Sequence, residues 1–396
     1  MKLRLIILLF IAGLKGTGQV TPRIQKQVDS IQQVIQTAGH DTIVVNAIKK
    51  WSDLIYTTNT VVDFELMQRI EKISAKNLKK KLTPGEKKFF LKSKSYALNN
   101  IGLYHYLNVD YIKAIECHTK ALKIREQTGD KQGTAASLNN IGLIYDDQGN
   151  IDKAIEYYTR SLKIDEEVND SLGISNSLGN LGNVYYAKKD YEKSLQFHMR
   201  GLRLKEKLHD TEGIGASLNN IGNIYLIQGD LEKAMDNYTQ SLAIKHKIND
   251  IRGQSDSYNN IGIVYFERGD LDKSIHNSKR ALQLVEHRGY IPEIKNAALQ
   301  LYQVYKKKGD YSNALKMHEL YIRARDSILR EENHKAIMLQ EYKYQYEKQA
   351  LADSVRHLEE QKIKDARLAG EKALARKQQV DLKNKRFQQY VLFGGL

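Results

Sequence analysis

The chain is poor in the residues that break helices or staple loops. Three prolines, Pro22, Pro84 and Pro292, are spread over 396 residues, and Gly370 is the only glycine between Asp310 and Gly394. Proline ends or kinks a helix, so a chain this short of it, and rich in Lys, Glu, Leu and Ile, is expected to be almost wholly helical. The single cysteine, Cys117, excludes an internal disulfide and leaves the redox compartment unread. No base is assembled around it in sequence, so it reads as a small buried residue rather than a catalytic thiol. Also missing are a phosphate loop, a nucleophile elbow and a paired-glycine dinucleotide turn in a strand context. The eleven histidines form no metal-spaced cluster with cysteines or carboxylates. These absences argue against catalysis, a bound cofactor or a metal site within these residues.

What is present is repetition. SLNNIGLIYDDQGN from Ser137 returns as LNNIGLYHYLNVD from Leu98, SLGNLGNVYYAKKD from Ser177, SLNNIGNIYLIQGD from Ser217 and SYNNIGIVYFERGD from Ser257. The motif glycine falls at Gly102, Gly142, Gly182, Gly222 and Gly262, a period of forty without insertion. A fixed period of this length predicts a stack of like units, each leaning on its neighbours, rather than one central core. Within a unit, Leu138, Ile141 and Tyr145 share one helical face, Gly149-Asn150 stops that helix, and Ile151, Ala154, Ile155, Tyr158 and Leu162 start a second. Each unit therefore reads as helix, tight turn, helix. Small residues at Gly142, Ala154 and Ser161, echoed at Ala114 and Ala121, Ser194 and Gly201, Ala234 and Ser241, and Ser274 and Ala281, are expected to let the helices approach closely. His118, His198 and His318 occupy the slot of Tyr158 and Tyr238, which makes them packing residues first. Asn169-Asp170 and Asn249-Asp250 supply polar joints between units.

Ile141, Gly142 and Tyr145 followed by Ala154, Tyr158 and Ser161 resemble the tetratricopeptide repeat pattern. Five copies cover about residues 94 to 293, and a looser sixth carries Ala298, Leu301, Tyr305, Ala314 and His318, with His105 replacing the tyrosine in the first. The forty-residue form with paired asparagines is similar to the repeats of kinesin light chain and related peptide-binding adaptors. The resemblance implies an all-α right-handed superhelical solenoid.

The flanks differ from the array. MKLRLIILLFIAGLKGTGQ has basic Lys2 and Arg4, an apolar run from Leu5 to Ala12, and small Gly16 and Gly18. It reads as a secretory leader over residues 1 to 18, cleaved before Gln19 and too short for a permanent span. Residues 19 to 90 read as an atypical capping repeat, with helices starting at Asp41 and running from Val61 to Leu78, and Pro84-Gly85 marking the joint to an array over 91 to 325. From 326 to 390 the chain reads as one long helix or two. Leu351, Val355, Leu358, Ala366, Ala373, Val380 and Phe387 suggest a coiled coil, while Lys362, Asp365 and Lys377 interrupt the seam. That segment offers a homodimer interface. Residues 391 to 396, VLFGGL, are either a frayed apolar tail or the start of a membrane helix, and six residues cannot cross a bilayer. The stalk resembles that of bacterial envelope sensors that join a leader, a tetratricopeptide array, a stalk, a membrane helix and an output domain. The basic Lys383, Lys385 and Arg386 before Val391 run against the positive-inside tendency for such a topology.

The formal net charge is +15, but the lysines are dispersed among acids and no nucleic-acid module accompanies them, so a nucleic-acid partner is disfavoured. The candidate binding residues are first-helix asparagines: Asn99, Asn100, Asn139, Asn140, Asn180, Asn219, Asn220, Asn259 and Asn260, with Asn183 and Asn223 one turn on. A carboxamide both donates and accepts, so a column of them can hold an extended peptide backbone whatever its sequence. Asparagines at matching positions do this in the peptide-binding relatives that the repeats resemble. Gly179 interrupts the first column. The competing reading is that one asparagine of each pair bonds the backbone of the neighbouring repeat. The expected function is a non-catalytic scaffold or envelope sensor holding a peptide or protein. The alternative is the regulatory half of a membrane signalling enzyme, a histidine kinase, nucleotide cyclase or serine phosphatase, whose catalytic domain lies past residue 396.

Overall fold

A computed structural model describes residues 22–56 and 59–393, in which fifteen α-helices and no strands are found. Three helices open the described chain: α1 (Pro22–Thr37), α2 (Asp41–Ile55) and α3 (Thr60–Asn77). Paired helices follow: α4 (Pro84–Leu107) with α5 (Tyr111–Thr128), α6 (Lys131–Asp147) with α7 (Ile151–Glu167), and α8 (Ser171–Ala187) with α9 (Tyr191–Lys207). Then come α10 (Thr211–Ile227) with α11 (Leu231–Lys247), α12 (Ile251–Glu267) with α13 (Leu271–Val285), α14 (Ile291–Lys308), and α15 (Tyr311–Phe393). A first compact unit ends at Ala336, past the array boundary of 325 read from sequence, and a second begins at Ile337. Helix α15 begins in the first unit and makes up the described part of the second.

The forty-residue period is written in the turns. Val109, Gly149, Lys189, Gly229, Gly269 and Gly309 all have positive φ between the two helices of a unit, and Gly129, Asn169, His209, Asn249 and Gly289 have it between units. The next residue then caps the following helix. Asp110, Asp130, Asn150, Asp170, Asp190, Asp210, Asp230, Asp250 and Asp270 each accept a backbone N–H through the side chain. At these nine turns a left-handed residue closes one helix and an acidic or amide cap opens the next, so the chain reverses in two positions, whereas Tyr290 after Gly289 makes no side-chain cap. In four second helices the lysine at the third position lies over a tyrosine of the first helix: Lys153 on Tyr145 (4.8 Å), Lys193 on Tyr185 (5.2 Å), Lys233 on Tyr225 (5.1 Å) and Lys273 on Tyr265 (5.3 Å).

Each helix packs on its chain neighbours, and first helices also touch the next first helix, as α4 does α6, α6 does α8 and α10 does α12. The motif glycines have a more specific role than the general close approach expected from sequence. A methyl group on Gly102 would meet the His118 ring at 2.9 Å, on Gly142 the Tyr158 ring at 2.8 Å, on Gly182 the His198 ring at 2.7 Å and on Gly222 the Tyr238 ring at 2.7 Å. The space left by glycine is thus filled by an aromatic ring from the second helix. His118, Tyr158, His198 and Tyr238 are all buried as a result. The small serines add hydrogen bonds, Ser161 Oγ to the Ala135 carbonyl (2.9 Å) and Ser241 Oγ to the Gly215 carbonyl (2.7 Å).

The N-terminal helices carry their own core, in which Val28, Val45, Ile48, Trp51, Met67 and Ile70 join Phe90, Ala97 and Ile101 of α4. Helix α1, which the sequence reading did not separate, contributes Val28 to it. Cys117 is half-buried against the same core, and burial pushes its thiol pKa up to about 11. The expected leader lies outside the described residues. No helix among the described residues is long and apolar enough to cross a membrane. Helix α15 is continuous from Tyr311, which settles one helix rather than two for this stretch, and its side chains from Glu359 to Arg386 are exposed.

Candidate functional site: the asparagine column

The period of forty places the paired asparagines on successive first helices, and those helices adjoin, so the pairs meet. Asn140 Nδ2 donates to Asn99 Oδ1 (3.1 Å), Asn180 Nδ2 to Asn139 Oδ1 (3.0 Å), and Asn260 Nδ2 to Asn219 Oδ1 (3.1 Å). Where Gly179 removes the first asparagine of its pair, Asn220 Nδ2 donates instead to Asn183 Oδ1 (3.1 Å). The second asparagine of each pair therefore bonds the preceding repeat, but through a side chain and not through the backbone as the competing reading had it. At the N-terminal end Asn100 Nδ2 meets Met67 Sδ at 3.5 Å.

These bonds use part of each amide and fix the rest. Asn140, Asn180 and Asn220 each keep one N–H and the carbonyl oxygen, Asn260 keeps its carbonyl oxygen, and Asn99, Asn139 and Asn219 keep their amide N–H groups. All seven are partly exposed, and Asn183 is exposed outright. Two candidates are less available than the sequence suggested. Asn223 Oδ1 already accepts from Tyr238 Oη (2.8 Å) and Asn260 Nδ2 (3.3 Å). Asn259 is only 7% exposed, with an unpartnered Oδ1, because its helix is covered by α14. Asn259 is therefore a buried residue and not part of the open face.

Behind the asparagines runs a column of buried or half-buried ionisable groups that the sequence pattern did not single out. Arg125, Asp165, Lys205 and Lys245 recur at the period of forty near the end of successive second helices, and the following first helix supplies a serine twelve residues on. Arg125 Nη1 donates to Ser137 Oγ (2.7 Å), to the Gly133 carbonyl (2.8 Å) and to Asn99 Oδ1 (3.3 Å). Lys205 Nζ donates to Ser217 Oγ (3.0 Å) and Lys245 Nζ to Ser257 Oγ (3.3 Å). Burial depresses the pKa of all three cations. At Asp165, beside Ser177 Oγ (3.3 Å), burial and then the charge of Asp170 push the carboxyl up to about 6. The signal available was the recurrence of a charged residue four positions after the small second-helix slot. Burial also lowers the pKa of His118 and His198 to about 4, so both are neutral packing groups near pH 7. Among the described residues no group of three or more His, Cys, Asp or Glu is placed to hold a metal ion.

Helix pairs of forty residues joined by left-handed turns, with a glycine under an aromatic ring in each of the first four, can be set beside known proteins. The tetratricopeptide repeat family model matches residues 94–167 and 173–247, and a second model of the same description matches 255–284. Residues 94–284 are a tetratricopeptide repeat array. The array shares the fold of BtubC (BKLC) from P. vanneervenii, at 19% identity and a TM-score of 0.51 over 57% of this chain and 91% of that one. Apo RapI matches at 15% identity and a TM-score of 0.53, over 78% of this chain and 99% of that one. Aspartyl phosphate phosphatase F from Bacillus subtilis matches at 13% and 0.51, over 78% and 96% respectively. At such identities the likeness is one of fold. No curated protein matches the tetratricopeptide chain in sequence.

Proposed function

We propose that the chain is a non-catalytic scaffold whose first helices hold an extended peptide segment of a partner protein through the asparagine column. The observation that carries this reading is the rung-to-rung bonding. Each inter-repeat bond fixes an amide in orientation while leaving a donor, an acceptor or both unused, so the ordering cost is met before a ligand arrives. Adjacent first helices present these groups at one per repeat, and an extended backbone offers complementary N–H and C=O groups along its length. The paired asparagines of the forty-residue repeats, similar to those of kinesin light chain, are consistent with an adaptor role. The full chain used as bait should capture a partner that Asn140→Ala/Asn180→Ala/Asn220→Ala loses while its helicity by circular dichroism is unchanged; undiminished capture would move the site elsewhere.

The reading extends to location and assembly. The basic-apolar-small leader supports export to the cell envelope, in a signalling role. Exposed Ile363, Leu368, Leu374, Val380 and Leu382 on α15 support pairing with a second copy, since a lone exposed helix has little to stabilise it. Native mass spectrometry of the expressed protein should find a dimer of chains beginning at Gln19. A monomer that retains Met1 would contradict both parts.

A further inference from the structure

A cavity of about 650 Å³ lies where α3, α4 and α5 meet, at the junction between the N-terminal helices and the array. Four lysines line it, Lys72, Lys94, Lys120 and Lys123, against one acid, Glu71, over a floor that includes Leu98 and Ile124. Elsewhere in the array the lysine at the third position of a second helix meets the acid that caps that helix, as in Lys193–Asp190 (3.2 Å), Lys233–Asp230 (2.8 Å) and Lys273–Asp270 (2.9 Å). In the cavity Lys94 pairs with Glu71 at 3.3 Å and Lys120 with Glu116 at 2.5 Å. Lys72 and Lys123 make no ion pair among the described residues.

The register isolates one of these lysines further. At the forty-residue equivalents of Lys94 stand Thr134, Ile174, Ile214, Gln254 and Ile294, none of them charged. A lysine at this slot is thus a feature of the first junction and not of the repeat. Like charges converging on one cavity repel, and a polyvalent anion relieves that repulsion. The cations of the lining are all lysines, with no arginine. Ammonium groups act as point charges suited to phosphate oxygens, whereas paired recognition of planar carboxylates favours the guanidinium fork. The volume accommodates more than one phosphate group.

We propose that this cavity binds a compact multivalent anion of the condensed-phosphate type, independently of the asparagine column. Titration calorimetry of the full chain with inorganic tripolyphosphate should give saturable one-to-one binding that weakens as ionic strength rises, because the contacts are electrostatic. Lys72 and Lys123 are exposed and unpaired, so Lys72→Gln/Lys123→Gln should fold normally and bind roughly tenfold or more weakly. Lys94→Ile, which restores the residue of three other repeats, should weaken binding in the same direction. Lys79→Gln/Lys81→Gln, outside the cavity, and Asn140→Ala/Asn180→Ala/Asn220→Ala should retain it. Absence of saturation, or equal weakening by Lys79→Gln/Lys81→Gln, would overturn the site. Citrate binding as tightly as tripolyphosphate would overturn its assignment to phosphate.

Discussion

At the scale of single residues, the array stabilises itself with groups that are buried and either neutral or costly to charge. Asp165 is the clearest case: it is 3% exposed, its carboxyl is pushed from 3.8 up to about 6, and it takes the slot that Arg125, Lys205 and Lys245 fill elsewhere. A carboxyl whose pKa rises on folding holds its proton more tightly in the folded chain. Its stabilising contribution is therefore present below the unfolded value and is lost as pH climbs through about 6. Asp165→Asn removes the charge and leaves an amide oxygen facing Ser177. Denaturant unfolding should find this variant more stable than the parent by about 1–2 kcal/mol at pH 7.5, with the difference closing toward pH 4. A constant difference across that range would show that ionisation of Asp165 is not its source. His118 and His198 act with the opposite sign. Their pKa values fall to about 4 on folding, so the stability they contribute is full above 6.5 and declines as pH drops from there toward 4.

At the scale of helices and turns, the sequence was most readable where backbone geometry demands a particular residue. Gly149-Asn150, Asn169-Asp170 and Asn249-Asp250 announced their turns, because a positive φ favours glycine or asparagine and an acidic or amide side chain caps the helix that follows. Val109 and Lys189 hold the same conformation, with φ of 61° and 64°, without that signal. There the period, and not the local chemistry, reveals the turn. A β-branched residue is strained in this region by about 1–2 kcal/mol, so Val109→Gly should stabilise the fold by roughly 1 kcal/mol, after the entropic cost of glycine, in denaturant unfolding. A loss of stability would mean that the Val109 side chain makes contacts outweighing the strain. Helix α1 escaped notice because its apolar residues serve a local core with α2 to α4 and share no motif with the repeats. The charged column escaped because polar residues on a helix are read as solvent-facing by default, and only the serine partners, twelve residues away in sequence, show otherwise.

At the scale of the whole molecule, repetition is both the fold and the proposed site. The same register that stacks glycine under ring sets asparagine beside asparagine, so the candidate column was legible as a list of positions but not as a bonded series. Sequence alone could not rank its members: Asn259 is closed off by α14, while Asn220 turns to Asn183 because Gly179 offers it nothing. The central claim is that these amides grip a peptide backbone and are largely indifferent to its side chains. The most direct test is calorimetric, using a synthetic peptide from the captured partner, its single-alanine variants and its single N-methyl variants against the full chain. Backbone recognition predicts that most alanine variants bind within about threefold of the parent, and that N-methylation within the bound segment costs roughly tenfold, near the net value of one hydrogen bond. Alanine variants that abolish binding while N-methyl variants leave it intact would contradict the account and place recognition in side-chain contacts instead.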